Sequence, residues 1–302
     1  MIRILAILLG LGVAACSEGG SLLCGGDTSK LSYALGGNGP HASVEIDGRD
    51  GNFLIDYGAT QSSLSRSEFP GRPAPLTTSF GLPSFPTGRF QLRDYGSINA
   101  PRGGRIGVIG TDFLSLLKAE FDFDAGKVGL SAEDCSIDPA ASGFAAFSQT
   151  GRFSSNEASL GGGVNVPVLP LNIGGMSFEA QIDSGYGDTL YRHSMDVNRA
   201  LFDALQASGI EMKRVGGVDI VTCAGRESRE VWKIEQAKLV DDTGRMIAVF
   251  QPVHIIPKAP NACGGIASSN QPKGQLGASF LHTLGHVIFD PRNERVWIAG
   301  SQ

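Results

Sequence analysis

Two short segments of the chain end on an aspartate in the same local setting. Phe53-Leu54-Ile55-Asp56 runs into Tyr57-Gly58, and Ala180-Gln181-Ile182-Asp183 runs into Ser184-Gly185. Each reads as a β-strand that stops at a Gly-containing turn, which leaves a carboxylate at the strand end. Two carboxylates do acid–base chemistry when a fold holds them together. Like charges about 3 Å apart do not both ionise easily, so the pair shares one proton. One member is then a base and the other an acid at the same pH, and the two titrate as a unit.

The elements that must position them come twice in the same order. Val44-Glu45-Ile46-Asp47-Gly48 precedes the first aspartate, and Leu171-Asn172-Ile173-Gly174-Gly175 precedes the second. Ile46 to Asp56 and Ile173 to Asp183 are both ten residues apart, which predicts two matching hairpins. Further on, Val108-Ile109-Gly110-Thr111-Asp112-Phe113-Leu114 resembles Gln275-Leu276-Gly277-Ala278-Ser279-Phe280-Leu281. A short helical stretch and a strand pair follow each. Phe121-Asp122 through Lys127-Val128-Gly129-Leu130 lines up with Phe289-Asp290 through Arg295-Val296-Trp297-Ile298. Matched segments in the same order argue for a duplicated chain.

With both motifs laid out, the sequence resembles the pepsin-like and retropepsin-like aspartic peptidases. Their mark is two hydrophobic residues, Asp, Thr or Ser, and Gly, followed later by two hydrophobic residues and Gly. The resemblance covers about residues 42–131 and 166–299. It implies a mainly β, two-lobed acid-protease fold, each lobe a small distorted β-barrel with short helices. It implies Asp56 and Asp183 as a catalytic dyad that activates a water against a peptide bond. Gly58, Ser184, Gly185, Thr60 and Thr189 would support the active-site loops, and Gly110 and Gly277 would be the structural glycines. Glycine suits the loops because its backbone N–H can approach a carboxylate with no Cβ in the way.

The chain departs from that pattern at four residues. Tyr57 stands where Ser or Thr normally donates a hydrogen bond across to the other lobe, so the loop lock is expected to be one-sided, through Ser184. Ala59 and Tyr186 stand where a short hydroxyl side chain often donates to the carboxylate. Without it the ionised form is favoured less, which predicts raised dyad pKa values and a pH optimum nearer neutral. Gln275 occupies a hydrophobic position of the second downstream element. The alternative function is a catalytically weak or inactive binding protein of the bacterial envelope on the same scaffold, with Tyr57 obstructing the dyad. A flap is expected over 79–89, where Phe80, Leu82 and Phe85 would cover a substrate. Val197 to Ser208, with Leu201 and Leu205 on one face, predicts a helix.

The chain has 302 residues and net charge −5, with no basic clusters, which argues against nucleic acid as the main partner. Residues 1–15 read as a signal peptide, one Arg followed by an apolar run too short to span a bilayer. Val13-Ala14-Ala15-Cys16 resembles a bacterial lipobox, which makes Cys16 the expected lipidation site; the alternative is an ordinary secretory signal. Ser17 after it implies the outer membrane, facing the periplasm. Export leaves Cys24, Cys135, Cys223 and Cys263 where disulfides persist. Three pairings are open, and Cys24–Cys135 with Cys223–Cys263 keeps each pair within one half.

The expected organisation is a lipidated tether over 16–40, an N-terminal lobe over 41–135, a connector over 136–163 and a C-terminal lobe over 164–302. One chain supplies both aspartates, so a monomer acting on a peptide or protein is expected, with no cofactor and no metal. No Cys-x-x-Cys spacing supports zinc. His282 and His286 are four apart but lack an intervening metallopeptidase pattern. Gly161-Gly162-Gly163 is no phosphate loop, and no Gly-x-Ser-x-Gly elbow occurs. Asp112 and Asp188 read as helix-cap and turn residues, and Trp232 and Trp297 as core or half-buried strand residues.

Overall fold

The structure, a computed structural model, describes residues 22–33, 37–73, 75–82, 85–94, 105–153, 166–222, 225–260, 262 and 265–300. Cys16, Cys223 and Cys263, with the expected signal peptide and the Gly161–Gly163 run, lie outside the described residues.

The first half contains β1 (Asp27–Lys30), β2 (Ser32–Tyr33), β3 (Pro40–Ile46), β4 (Arg49–Ile55), β5 (Ser63–Ser65), β6 (Leu76–Leu82), β7 (Phe85–Arg93) and β8 (Arg105–Ile109). Then come α1 (Thr111–Leu114), β9 (Lys118–Asp122), β10 (Lys127–Ser131) and β11 (Phe144–Ser148). The second half contains β12 (Val168–Ile173), β13 (Met176–Ile182), β14 (Ser194–Val197), α2 (Arg199–Ala207), β15 (Lys213–Thr222) and β16 (Gly225–Ile234). It ends with β17 (Ala237–Val240), β18 (Met246–Phe250), β19 (Val253–Pro257), β20 (Lys273–Leu276), α3 (Ala278–Leu284), β21 (His286–Asp290) and β22 (Arg295–Ala299). The protein is mainly β. The helix expected over 197–208 is α2, whose Asn198 side chain accepts the Leu201 N–H and caps it, with Leu201 and Leu205 buried.

The two expected hairpins form by the same device. Asp47-Gly48 joins β3 to β4 and Gly174-Gly175 joins β12 to β13, all four residues with positive φ. Such two-residue loops match the twist of the flanking strands. The surrounding topology also repeats. β4 runs parallel to β8, which is antiparallel to β5. In the second half β13 runs parallel to β20, which is antiparallel to β14. In both halves the strand carrying Gly110 or Gly277 at its end therefore lies between the two strands that flank the aspartate loop.

Each half builds its own sheet, of seven strands (β2-β3-β4-β8-β5-β7-β6) and of nine (β15-β16-β19-β14-β20-β13-β12-β17-β18). Neither is the closed barrel that was expected. In the first, the single pair Ile46↔Phe80 joins β3 to β6, too little ladder to close it. The second remains open, with β15 and β18 at its edges.

A third sheet, β1-β10-β9-β21-β22-β11, draws on both halves. At its centre β9 pairs antiparallel with β21, and Glu120 faces Ile288. Each of these directly precedes the matched Phe-Asp of its own half, so the local twofold relation of the repeat passes between them.

This shared sheet corrects two expected boundaries. The stretch read as a tether enters the fold from Leu22 onward: β1 pairs with β10, Leu22 and Leu31 are buried, and Cys24 is bonded to Cys135. Buried Glu120 accepts the Leu23 and Cys24 N–H groups at 2.7 Å each. The connector 136–163 is likewise not all linker, because β11 within it completes the sheet against β22 and buries Phe147.

Candidate active site

The two aspartate loops meet between the halves. A Cβ placed on Gly58 would lie 2.2 Å from the Asp183 carboxyl carbon, and one on Gly185 would lie 2.4 Å from that of Asp56. Each loop glycine thus gives way to the carboxylate of the opposite half. No other residue type permits that approach, which accounts for the glycine two positions after each aspartate. The backbone seats match as well. Asp56 N–H donates to Ile109 C=O at 2.9 Å, and Asp183 N–H to Leu276 C=O at 3.2 Å.

Ser184 locks the loops from one side. Its fully buried hydroxyl accepts the Tyr57 N–H at 3.0 Å and donates to Ile55 C=O at 2.7 Å. No such bond returns from Tyr57. Its side chain is completely buried and stacks on Phe289, ring centroids 4.0 Å apart. The phenol oxygen has no hydrogen-bond partner among the described residues. The ring therefore lies in the core and not between the carboxylates.

The two carboxyls, each seated against the loop glycine of the other half, feel one another's charge and are unequal. Burial raises both. For Asp56, N–H groups of Gly58 (2.7 Å), Gly185 and Ala59 offset it. Asp183 is pushed well above the ordinary carboxylate range, first by burial and next by the charge of Asp56, with the Gln275 amide opposing. The backbone N–H groups that converge on Asp56 favour its charged form, so the shared proton is assigned to Asp183, with Asp56 the ionised member. The direction is the one expected from the sequence, but its first cause is burial and not the residues at 59 and 186; the Ala59 N–H in fact favours ionised Asp56. One part of that expectation is corrected: Asp183 does have a side-chain donor, Gln275 Nε2. In the sequence alone Gln275 reads only as a departure from the motif.

Two further carboxylates hold the loops in place. Asp112 lies in the first turn of α1, whose N-cap Gly110 has no side-chain bond. Its carboxylate accepts the Ser62 N–H at 2.9 Å and hydroxyl at 2.6 Å, while Ser62 Oγ accepts the Gly110 N–H at 2.8 Å. In the second half the residue types are exchanged. Asp188 sits in the aspartate loop, and Ser279 after Gly277 donates its N–H at 3.0 Å and hydroxyl at 2.5 Å. Asp188 also accepts the Ser194 N–H at 3.0 Å and the Asn38 amide at 2.5 Å. Beyond the helix-cap and turn roles that the sequence suggests, Asp112 and Asp188 each tie an aspartate loop to the segment after the structural glycine. The legible signal was an Asp and a Ser trading places at matched positions of the repeat.

Gly58, Thr60, Gln181, Asp183, Gly265 and Gln275 line a depression at the dyad. Thr60 is thus at the site, whereas Thr189 is exposed and outside this lining. The residues expected to form a flap fall in the β6–β7 hairpin, where Leu82 pairs with Phe85. His282 and His286 do not share a helix face. Gly285, with φ +71, ends α3, so His286 begins β21 and bonds buried Glu120 at 2.8 Å, while His282 contacts Asn38 C=O. No cluster suited to a metal ion occurs among the described residues. Trp232 and Trp297 are half-buried on strands, as expected.

No family model matches this chain, and no curated protein matches it.

Proposed function

We propose that the protein is an aspartic-type endopeptidase of the two-lobed acid-protease kind. The observation that carries this reading is the reciprocal seating of the loops, with each aspartate against the glycine of the other. Asp56, held ionised by N–H donors, takes a proton from a water molecule, and the oxygen attacks the peptide carbonyl carbon. Asp183 gives its proton to the carbonyl oxygen. The tetrahedral species then collapses: the C–N bond breaks, the nitrogen receives the proton that Asp56 took from water, and a hydroxyl on the tetrahedral carbon gives its proton to the dyad as the carboxyl product forms, which restores the singly protonated state. Both carboxyls come from one chain, so a monomer suffices.

The binding-only alternative calls for an obstructed dyad, and the burial of Tyr57 beneath the loops speaks against that obstruction. The lipobox-like run ending at Cys16 supports anchoring to the bacterial envelope, probed by labelling with a lipid precursor. The Cys24–Cys135 bond suits the oxidising side of that membrane.

The test is a peptide-library digest by the mature protein between pH 3 and 8, with and without pepstatin, beside an Asp56→Asn control. Cleavage that pepstatin and the substitution both abolish supports the proposal. No cleavage across the range overturns it.

A further inference from the structure

Gln275 stands where the matched element of the first half has Val108, so this polar group belongs to one side of the repeat alone. Its amide bridges two groups. Nε2 donates to Asp183 Oδ2, and Oε1 accepts from Lys258 Nζ at 3.2 Å. An ammonium has donors only, which forbids the flipped amide. Lys258 is itself buried, with Nζ 3.6 Å from Asp196. Asp196 accepts from Arg229 at 2.8 Å and from the Tyr186 phenol at 3.3 Å, and Arg229 also pairs with Glu227. Lys258, Arg229 and Asp196 thus form a buried charged cluster behind the amide, with Glu227 part-exposed at its edge.

We infer that Gln275, oriented by Lys258, is a positioning residue that confines the proton of the dyad to one oxygen of Asp183. Oδ2 is occupied as an acceptor, so the proton resides on Oδ1. A freely turning carboxyl would spread the proton over both oxygens and would present the acid in the right place only part of the time. The N–H also favours ionised Asp183 and draws down the upper titration of the pair. The other charged and titratable groups around it, Asp56, Asp196, Lys258, Arg229, Glu227 and Tyr186, stay in place when Gln275 is changed. The role in turnover rests on the peptidase reading; the proton placement does not.

The test uses the mature chain with Gln275→Leu, Lys258→Met and the double variant. Two readouts are taken: the pH profile of kcat, and titration of carbon-13-labelled aspartate carboxyls by NMR without substrate. An N–H bond to a charged acceptor is worth enough to move the upper titration of Gln275→Leu about one pH unit alkaline. Its kcat falls about tenfold, and KM changes little. Lys258→Met shifts both in the same direction, and the double variant shifts them by less than the sum of the two singles, because part of the Lys258 effect runs through the Gln275 bond and part through its charge beside Asp196. If cleavage occurs but Gln275→Leu leaves the profile and titration in place, the inference fails and the peptidase reading stands. If no peptide is cut, the NMR shift alone decides: its presence supports the placement of the proton, and its absence overturns it.

Discussion

Replacing Tyr57 by Phe removes one oxygen from the most sensitive point of the site and is expected to stabilise the protein. The Tyr57 side chain is 0% exposed and its hydroxyl has no partner among the described residues. A buried polar group without a partner costs about 1–3 kcal/mol. The void left by the oxygen, roughly 10 Å³, costs only roughly 0.2 kcal/mol. The ring keeps its stack on Phe289. The net gain is about 1–3 kcal/mol, which for a chain of this size raises Tm by about 2–5 °C. The assay is thermal unfolding of wild type and Tyr57→Phe at neutral pH, beside their peptidase pH profiles. Because the phenol lies under the loops, kcat and its pH dependence should be unchanged. A lower Tm, or a displaced pH profile, would refute the reasoning by showing that the hydroxyl bonds to something or reaches the dyad.

Three other outcomes follow from the same geometry. Asp183→Asn should abolish cleavage and raise stability at pH 7. The pKa of Asp183 is raised in the folded state, so the native protein binds the proton more tightly than the unfolded chain, and wild-type stability falls as pH rises through that folded value. The Asn variant lacks that fall, and urea unfolding at pH 4 and pH 7 measures the difference. Gly185→Ala should lower kcat at least a hundredfold, because its Cβ would sit 2.4 Å from the Asp56 carboxyl carbon and force the loops apart; Gly209→Ala tests the milder strain at a positive φ with open space. Cys135→Ser should cost about 3–5 kcal/mol, since the bond to Cys24 closes a sequence separation of 111 residues, with urea unfolding as the measure.

Much of the site was legible from local pattern. Strands, two-residue turns and aspartates at strand ends are written in short runs of sequence, and the repeat showed them twice. The helix α2 with Leu201 and Leu205 on its buried face, the placing of Asp56 and Asp183 at strand ends, and the Cys24–Cys135 bond follow from such runs or from simple pairing within one half. The limits of the N-terminal half were less legible. Residues 22–33 look like a polar linker rich in Gly and Ser, and only the exposed edge of β10 and buried Glu120 turn them into structure.

By itself the sequence determined that the chain is a duplicated, mainly β protein with a matched aspartate in each half, because hydrophobic periodicity and turn residues act over a few positions. Only the tertiary structure decided where Tyr57 points and which group reaches Asp183. Tyr57 packs on Phe289, and Gln275 is oriented by Lys258 and Asp196, residues brought together by parallel pairing of distant strands. In a strand successive side chains face opposite ways, so a residue's environment depends on register and on what the neighbouring strand supplies. The seating of two carboxylates against two opposing glycines is a property of the packed halves and of neither half alone.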